Sequence, residues 1–173
     1  MEQISYGVKL NNMTRCLDPT IRVYRDAVRY LTEITLLHYD EIRLLPSKRT
    51  MTFVEKLVHG TKKRTAVYPE FDRRFYKMPS YLRRAAIVTA IGKADSYRKL
   101  TDLWKADGCK GKKPFLNLQQ DMMPCFYREN MFRHDARGFA IKIFRNNDWV
   151  WQTIKLRKTD LDYIAVHCAG LKE

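Results

Sequence analysis

Phe139-Ala140-Ile141-Lys142-Ile143-Phe144-Arg145-Asn146-Asn147-Asp148-Trp149-Val150-Trp151-Gln152-Thr153-Ile154 is the stretch that decides the fold. Two runs rich in β-branched and aromatic residues flank Asn146-Asn147-Asp148, and asparagine tolerates the left-handed backbone that tight hairpin turns require. The stretch therefore predicts a β-hairpin in the C-terminal part of the chain. Two shorter apolar runs before it, Phe115-Leu116 and Cys125-Phe126-Tyr127, predict further strands of the same sheet. At the other end of the sequence, Ile4, Tyr6, Val8 and Leu10 alternate with Ser5, Gly7 and Lys9, which is the period-two signature of a half-buried strand. A lone strand is not stable, so its partners must be the strands far along the chain.

What lies between reads as helix. Asp18-Pro19 predicts an N-cap followed by proline at the first helical position. Ile21, Tyr24, Val28, Leu31, Thr35 and His38 then recur at steps of three or four up to about Tyr39. Thr50 predicts the cap of a second helix carrying Phe53, Leu57 and Val58, ended by Gly60 in a left-handed conformation. Thr61-Lys62-Lys63-Arg64-Thr65 reads as a basic loop and Tyr68–Phe75 as a short helix with proline near its start. Pro79-Ser80 opens the longest helix, with Leu82, Ala86, Ala90, Ala94, Tyr97, Leu100 and Trp104 along one face and Gly92 as its weak point. Asp107-Gly108 and Gly111 mark the exit.

The expected fold class is α+β: a small, β-barrel-like sheet interrupted after its first strand by a four-helix insertion. The divisions are residues 1–14 for the first strand, 15–113 for the helical insertion and 114–173 for the remaining strands.

Charge is localised within this plan. From Lys48 to Lys113 there are 18 Lys and Arg against 6 Asp and Glu, which accounts for 12 of the 14 net positive charges of the 173-residue chain. Both flanks are close to neutral. A cationic block of that density repels itself unless a polyanion meets it, and nucleic acid is the natural counterpart. The candidate phosphate ligands are Lys62, Lys63, Arg64, Arg73, Arg74, Lys77, Arg83, Arg84, Lys110, Lys112 and Lys113. Tyr68, Phe71, Tyr76 and Tyr81 lie among them and are candidates for stacking on bases, with core packing as the competing role.

No residue pattern points to catalysis. The four histidines, His38, His59, His134 and His167, are scattered, with no H-x-H or H-E-x-x-H arrangement. Phosphate-binding P-loop and nucleophile-elbow motifs are missing. Asp160 and Asp162 are close in sequence, but Asp160 reads better as a turn or helix-capping group than as a metal ligand. Cys16, Cys109, Cys125 and Cys168 form no close pair of the kind that a structural zinc site uses. No catalytic residue, metal site or cofactor is therefore expected. Nothing approaches the roughly 18–20 apolar residues of a membrane span, and the start of the chain is not a secretory signal, so the expected location is cytoplasmic and no membrane partner is expected.

The order of parts resembles the N-terminal half of the TnpB (OrfB) family of insertion-sequence proteins, often labelled transposases and related to single-effector CRISPR nucleases. The resemblance rests on the N-terminal strand, on Tyr68-Pro69-Glu70-Phe71 and Pro79-Ser80-Tyr81-Leu82-Arg83-Arg84-Ala85-Ala86 within the helical region, and on Trp149-Val150-Trp151-Gln152-Thr153-Ile154-Lys155-Leu156 at the return to strand. It implies a wedge domain that grips a guide RNA and a recognition domain that lies along the guide–target DNA heteroduplex. It also implies that a RuvC-like nuclease domain, the part of an RNA-guided DNA endonuclease that cuts, is lacking here and is separately encoded, if present at all, and that Leu161-Asp162-Tyr163-Ile164 is the segment before a last barrel hairpin that the chain lacks, which would leave an open sheet edge prone to self-association. The alternatives are a standalone basic RNA-binding or regulatory protein, and an adaptor for an acidic protein.

Overall fold

The computed structural model describes residues 14–118, 122–126, 130–135 and 138–167. Five helices come first: α1 (Thr14–Leu37), the single turn α2 (Tyr39–Ile42), α3 (Ser47–Val58), α4 (Glu70–Arg74) and α5 (Ser80–Ala106). Three antiparallel strands follow in the order β1-β2-β3, namely β1 (Phe132–Asp135), β2 (Gly138–Arg145) and β3 (Asp148–Ile154), and then helix α6 (Lys158–His167). The protein is thus α+β, and its described strands make an open sheet. The strand expected at Ile4–Leu10 lies outside the described residues.

α1 and α5 form the spine of the helical layer. Thr20, Tyr24, Ala27, Val28, Leu31, Ile34 and Thr35 fall on one stripe of α1 and are buried. The buried hydroxyls of Thr32 and Thr35 donate to the carbonyls one turn back, Val28 O and Leu31 O, both at 2.7 Å, so they enter the core already satisfied. Opposite them, Leu82, Ala86, Ile87, Ala90 and Ala94 of α5 are buried. Small alanines at four-residue steps let the two helices approach closely. α3 adds Val54, Leu57 and Val58, and α4 adds Phe71.

The sheet closes on α1. Asn146 and Asn147 both adopt positive φ (51° and 59°), forming the two-residue turn that the sequence predicts, and Arg145 faces Asp148 across it. Lys142 N–H still reaches Met131 O at 2.7 Å. The next outward amide, Phe144 N–H, lies beyond the paired residues of β1 and donates instead to Thr20 Oγ1 at 2.8 Å. One side-chain hydroxyl therefore completes the ladder and joins the helical layer to the sheet. Ile141, Ile143 and Ile154 make a second, smaller core with Leu17, Phe132 and Leu156.

Several local expectations change. α1 begins at Thr14, so Pro19 sits inside the helix rather than at its start. α3 begins at Ser47 after Pro46, and Thr50, inside it, bonds back to Ser47 O at 2.9 Å instead of capping. Gly60 is not left-handed; its N–H is held by Asp72 Oδ2 at 3.0 Å. Phe115-Leu116 and Cys125-Phe126 are not strands but loop, and β1 forms at Phe132–Asp135 instead. Phe115 is exposed while Phe126 packs into both cores, so the apolar character of these runs serves packing and surface rather than pairing. Leu161–Ile164 lies in α6. On α5 the buried face stops at Ala94: Tyr97 and Trp104 are half-buried and Leu100 is exposed.

Candidate nucleic-acid interface

The segment between α3 and α4 is a tight turn. Thr61 and Arg64 bond to each other through both backbone groups, at 2.7 and 3.1 Å, so Lys62 and Lys63 stand exposed at the tip. Arg64 folds back, and its Nη2 donates to His59 O at 2.7 Å. The turn is fastened from below by Asp72, whose carboxylate accepts from His59 Nδ1 at 2.8 Å and from Gly60 N–H. The sequence placed the basic loop correctly; the His59–Asp72 anchor, 13 residues apart, carries no local signal.

α4 divides its residues by face. Phe71 and Phe75, four apart, point inward and pack on each other (centroids 4.8 Å apart) and on Tyr30. Arg73 and Arg74 are left exposed at the helix C-terminus, where the helix dipole favours cations. Arg73 pairs with Glu70 at 2.6 Å, whereas Arg74 lies over the Phe75 ring and has no carboxylate partner among the described residues. Tyr76 is 62 % exposed. Lys77 takes a left-handed conformation (φ 54°), lies over Tyr76 and reaches Asp148 Oδ1 at 3.8 Å. This brings the end of α4 against the β2–β3 turn. Between them is a cleft of about 260 Å³ lined by Val23, Arg73, Arg74, Phe75, Tyr76, Phe144, Asn147 and Trp149.

Two of the expected contacts are turned inward. Phe71 is fully buried, which leaves no ring face for a base. Arg83 is 9 % exposed and donates to Glu55 Oε1 through Nε and Nη2 (3.3 and 3.1 Å), so its charge is neutralised inside the helical layer. Its neighbour Arg84, about 100° further round the helix, is exposed and only leans on Glu55 at 3.4 Å. Tyr68 is half-buried, its hydroxyl hydrogen-bonded to His38 Nε2 at 2.8 Å. Tyr81 is 47 % exposed and shares a groove with Arg84, Val88 and Met123.

Lys110, Lys112 and Lys113 occupy the exposed loop after α5, where Gly108, Cys109 and Gly111 all have positive φ. They lie beyond the far end of the 27-residue α5 from Arg84, and at 1.5 Å per residue the helix from Arg84 to Ala106 spans about 33 Å. The cationic belt is thus divided into a group around α4 and a group beyond α5. A third cationic site escaped the sequence analysis: Arg133 and Lys142 approach the Trp151 ring at 4.0 and 5.7 Å, a cross-strand arrangement that only the register creates.

The perturbed titrations are structural. Hydrogen bonds from Lys99 and from Tyr39 hold the Asp95 carboxyl below its ordinary range, and burial pushes Tyr39 and Tyr30 up. Among the described residues no group of three or more His, Cys, Asp or Glu converges as a metal site would, and no helix is long and apolar enough to cross a membrane. What the surface offers is paired and unpaired cations beside aromatic rings.

The chain belongs to the Aq_aa04 family, whose match runs over residues 4–145 and so takes in α1 through β2. No curated protein and no solved structure matches it.

Proposed function

We propose that this member of the Aq_aa04 family is a nucleic-acid-binding protein whose ligand is structured RNA. The observation that carries the proposal is the exposure of Lys62, Lys63, Arg74, Lys110, Lys112 and Lys113, none of them with a carboxylate partner among the described residues. Unpaired cations on a surface gain by releasing the counterions of a polyanion, and they need no base-reading geometry to do so. In the finer form suggested by the TnpB-like order of parts, the RNA is a guide RNA scaffold and its duplex with target DNA. A standalone RNA-binding role uses the same surface.

A filter-binding titration with structured RNA tests this. If about six phosphates are contacted, affinity falls on the order of a thousandfold between about 50 and 200 mM salt, and Lys62→Glu with Lys63→Glu weakens binding at low salt. Absence of binding at low salt overturns the RNA reading and favours an acidic protein as the partner.

A further inference from the structure

We propose that the cleft between α4 and the β2–β3 turn seats one unpaired nucleotide of the bound RNA, an inference that rests on the RNA-binding reading above. The cleft has two chemically different walls. Arg73, Arg74 and Tyr76 come from the end of α4 and the residues after it; Phe144, Asn147 and Trp149 come from the hairpin. Its volume of about 260 Å³ falls below the roughly 300–1,000 Å³ of drug-sized pockets. That is room for one ring system with its phosphate and too little for a base pair.

The lining supplies the contacts such a ligand needs. The Arg74 guanidinium, lacking a carboxylate partner among the described residues, is a planar donor fork suited to phosphate oxygens. Around the cleft mouth, Arg73, Arg74 and Lys77 outnumber Glu70 and Asp148, so the local field favours an anion. Phe144 and Trp149, whose rings lie 5.3 Å apart, and the exposed Tyr76 give aromatic surface for a base, while the Asn147 amide can both donate and accept at a base edge.

Two independent features mark the place as built for something. Trp149 is 8 % exposed, yet its indole Nε1 has no acceptor among the described residues, an uncommon state for a buried donor. Lys77 holds a positive φ that a non-glycine residue adopts at a cost, and the surrounding contacts, Met78 and Pro79 buried behind it and Asp148 in front, keep it there.

The experiment compares two RNA duplexes of the same sequence, one blunt and one with a single unpaired 3′ nucleotide, by fluorescence anisotropy. The protein should prefer the overhang by about tenfold, the scale of one base–aromatic stack. Arg74→Ala and Tyr76→Ala, both at exposed positions, should abolish that preference while leaving the far-ultraviolet circular dichroism unchanged. Equal affinity of the native protein for both duplexes, or an equal loss on both in Arg74→Ala, overturns the cleft and leaves RNA binding standing. If neither duplex binds at low salt the RNA reading fails, and tryptophan fluorescence then decides the cleft alone. Quenching by a nucleoside 5′-monophosphate that disappears in Trp149→Phe supports a nucleotide site, and no quenching overturns it.

Discussion

At Glu55 one carboxylate serves two arginines, and only one of them matters to the fold. The Glu55 and Arg83 side chains are 13 % and 11 % exposed, so removing either leaves a charge in the helical layer without compensation. Glu55→Ala should therefore cost about 3–5 kcal/mol in urea unfolding, whereas Arg84→Ala, at the exposed position, should cost no more than about 0.5 kcal/mol. Replacing Glu55 and Arg83 together by methionine should restore most of the loss, because the desolvation that the pair opposes disappears with it. The sequence does not distinguish these arginines. They are adjacent and chemically identical, and the difference comes from a rotation of about 100° and a partner 28 residues away. The same holds for Phe71 beside Tyr76: aromatic character was legible, and which ring faces the core was not.

Among the elements, the helices were the more legible. α5 starts at Ser80 after Pro79 as expected, and its four-residue apolar step holds as far as Ala94. Gly92 lies inside it, exposed, and a Cβ added there would meet nothing within 4 Å. Gly92→Ala should stabilise the protein by about 0.8–1.0 kcal/mol, the difference in helix propensity, read as a rise in the urea midpoint with unchanged slope. No gain would mean that the groove beside Phe115 and Leu116 resists even a methyl group. The strands are less legible. The β2–β3 hairpin announces itself by its asparagine turn, but β1 is Phe132-Arg133-His134-Asp135, in which three of four residues are polar. Its place is dictated by the β2 backbone beside it, through pairs such as Phe132 with Ile141, and not by any periodicity of its own.

For the molecule as a whole, charge could be read directly because it is a sum over residues, and the α+β class followed from the two periodicities of the apolar residues. The division of the cationic belt could not, because it depends on the length and direction of α5. That helix has a further consequence. Its last buried residue is Ala94, and the 12 residues beyond it, to Ala106, extend about 18 Å with no fully buried side chain to hold them. Asp95 and Arg98 are tied to Tyr39 and Asp40, and past them the hydrogen bonds of that overhang are protected mainly by the helix itself. Amide protons of residues 99–106 should exchange with deuterium through local fraying, at rates at least about a hundredfold above those of residues 86–94, which open only when α1 and α5 separate. A single unbroken helix would then run on two clocks, the slow one set by the core and the fast one by solvent.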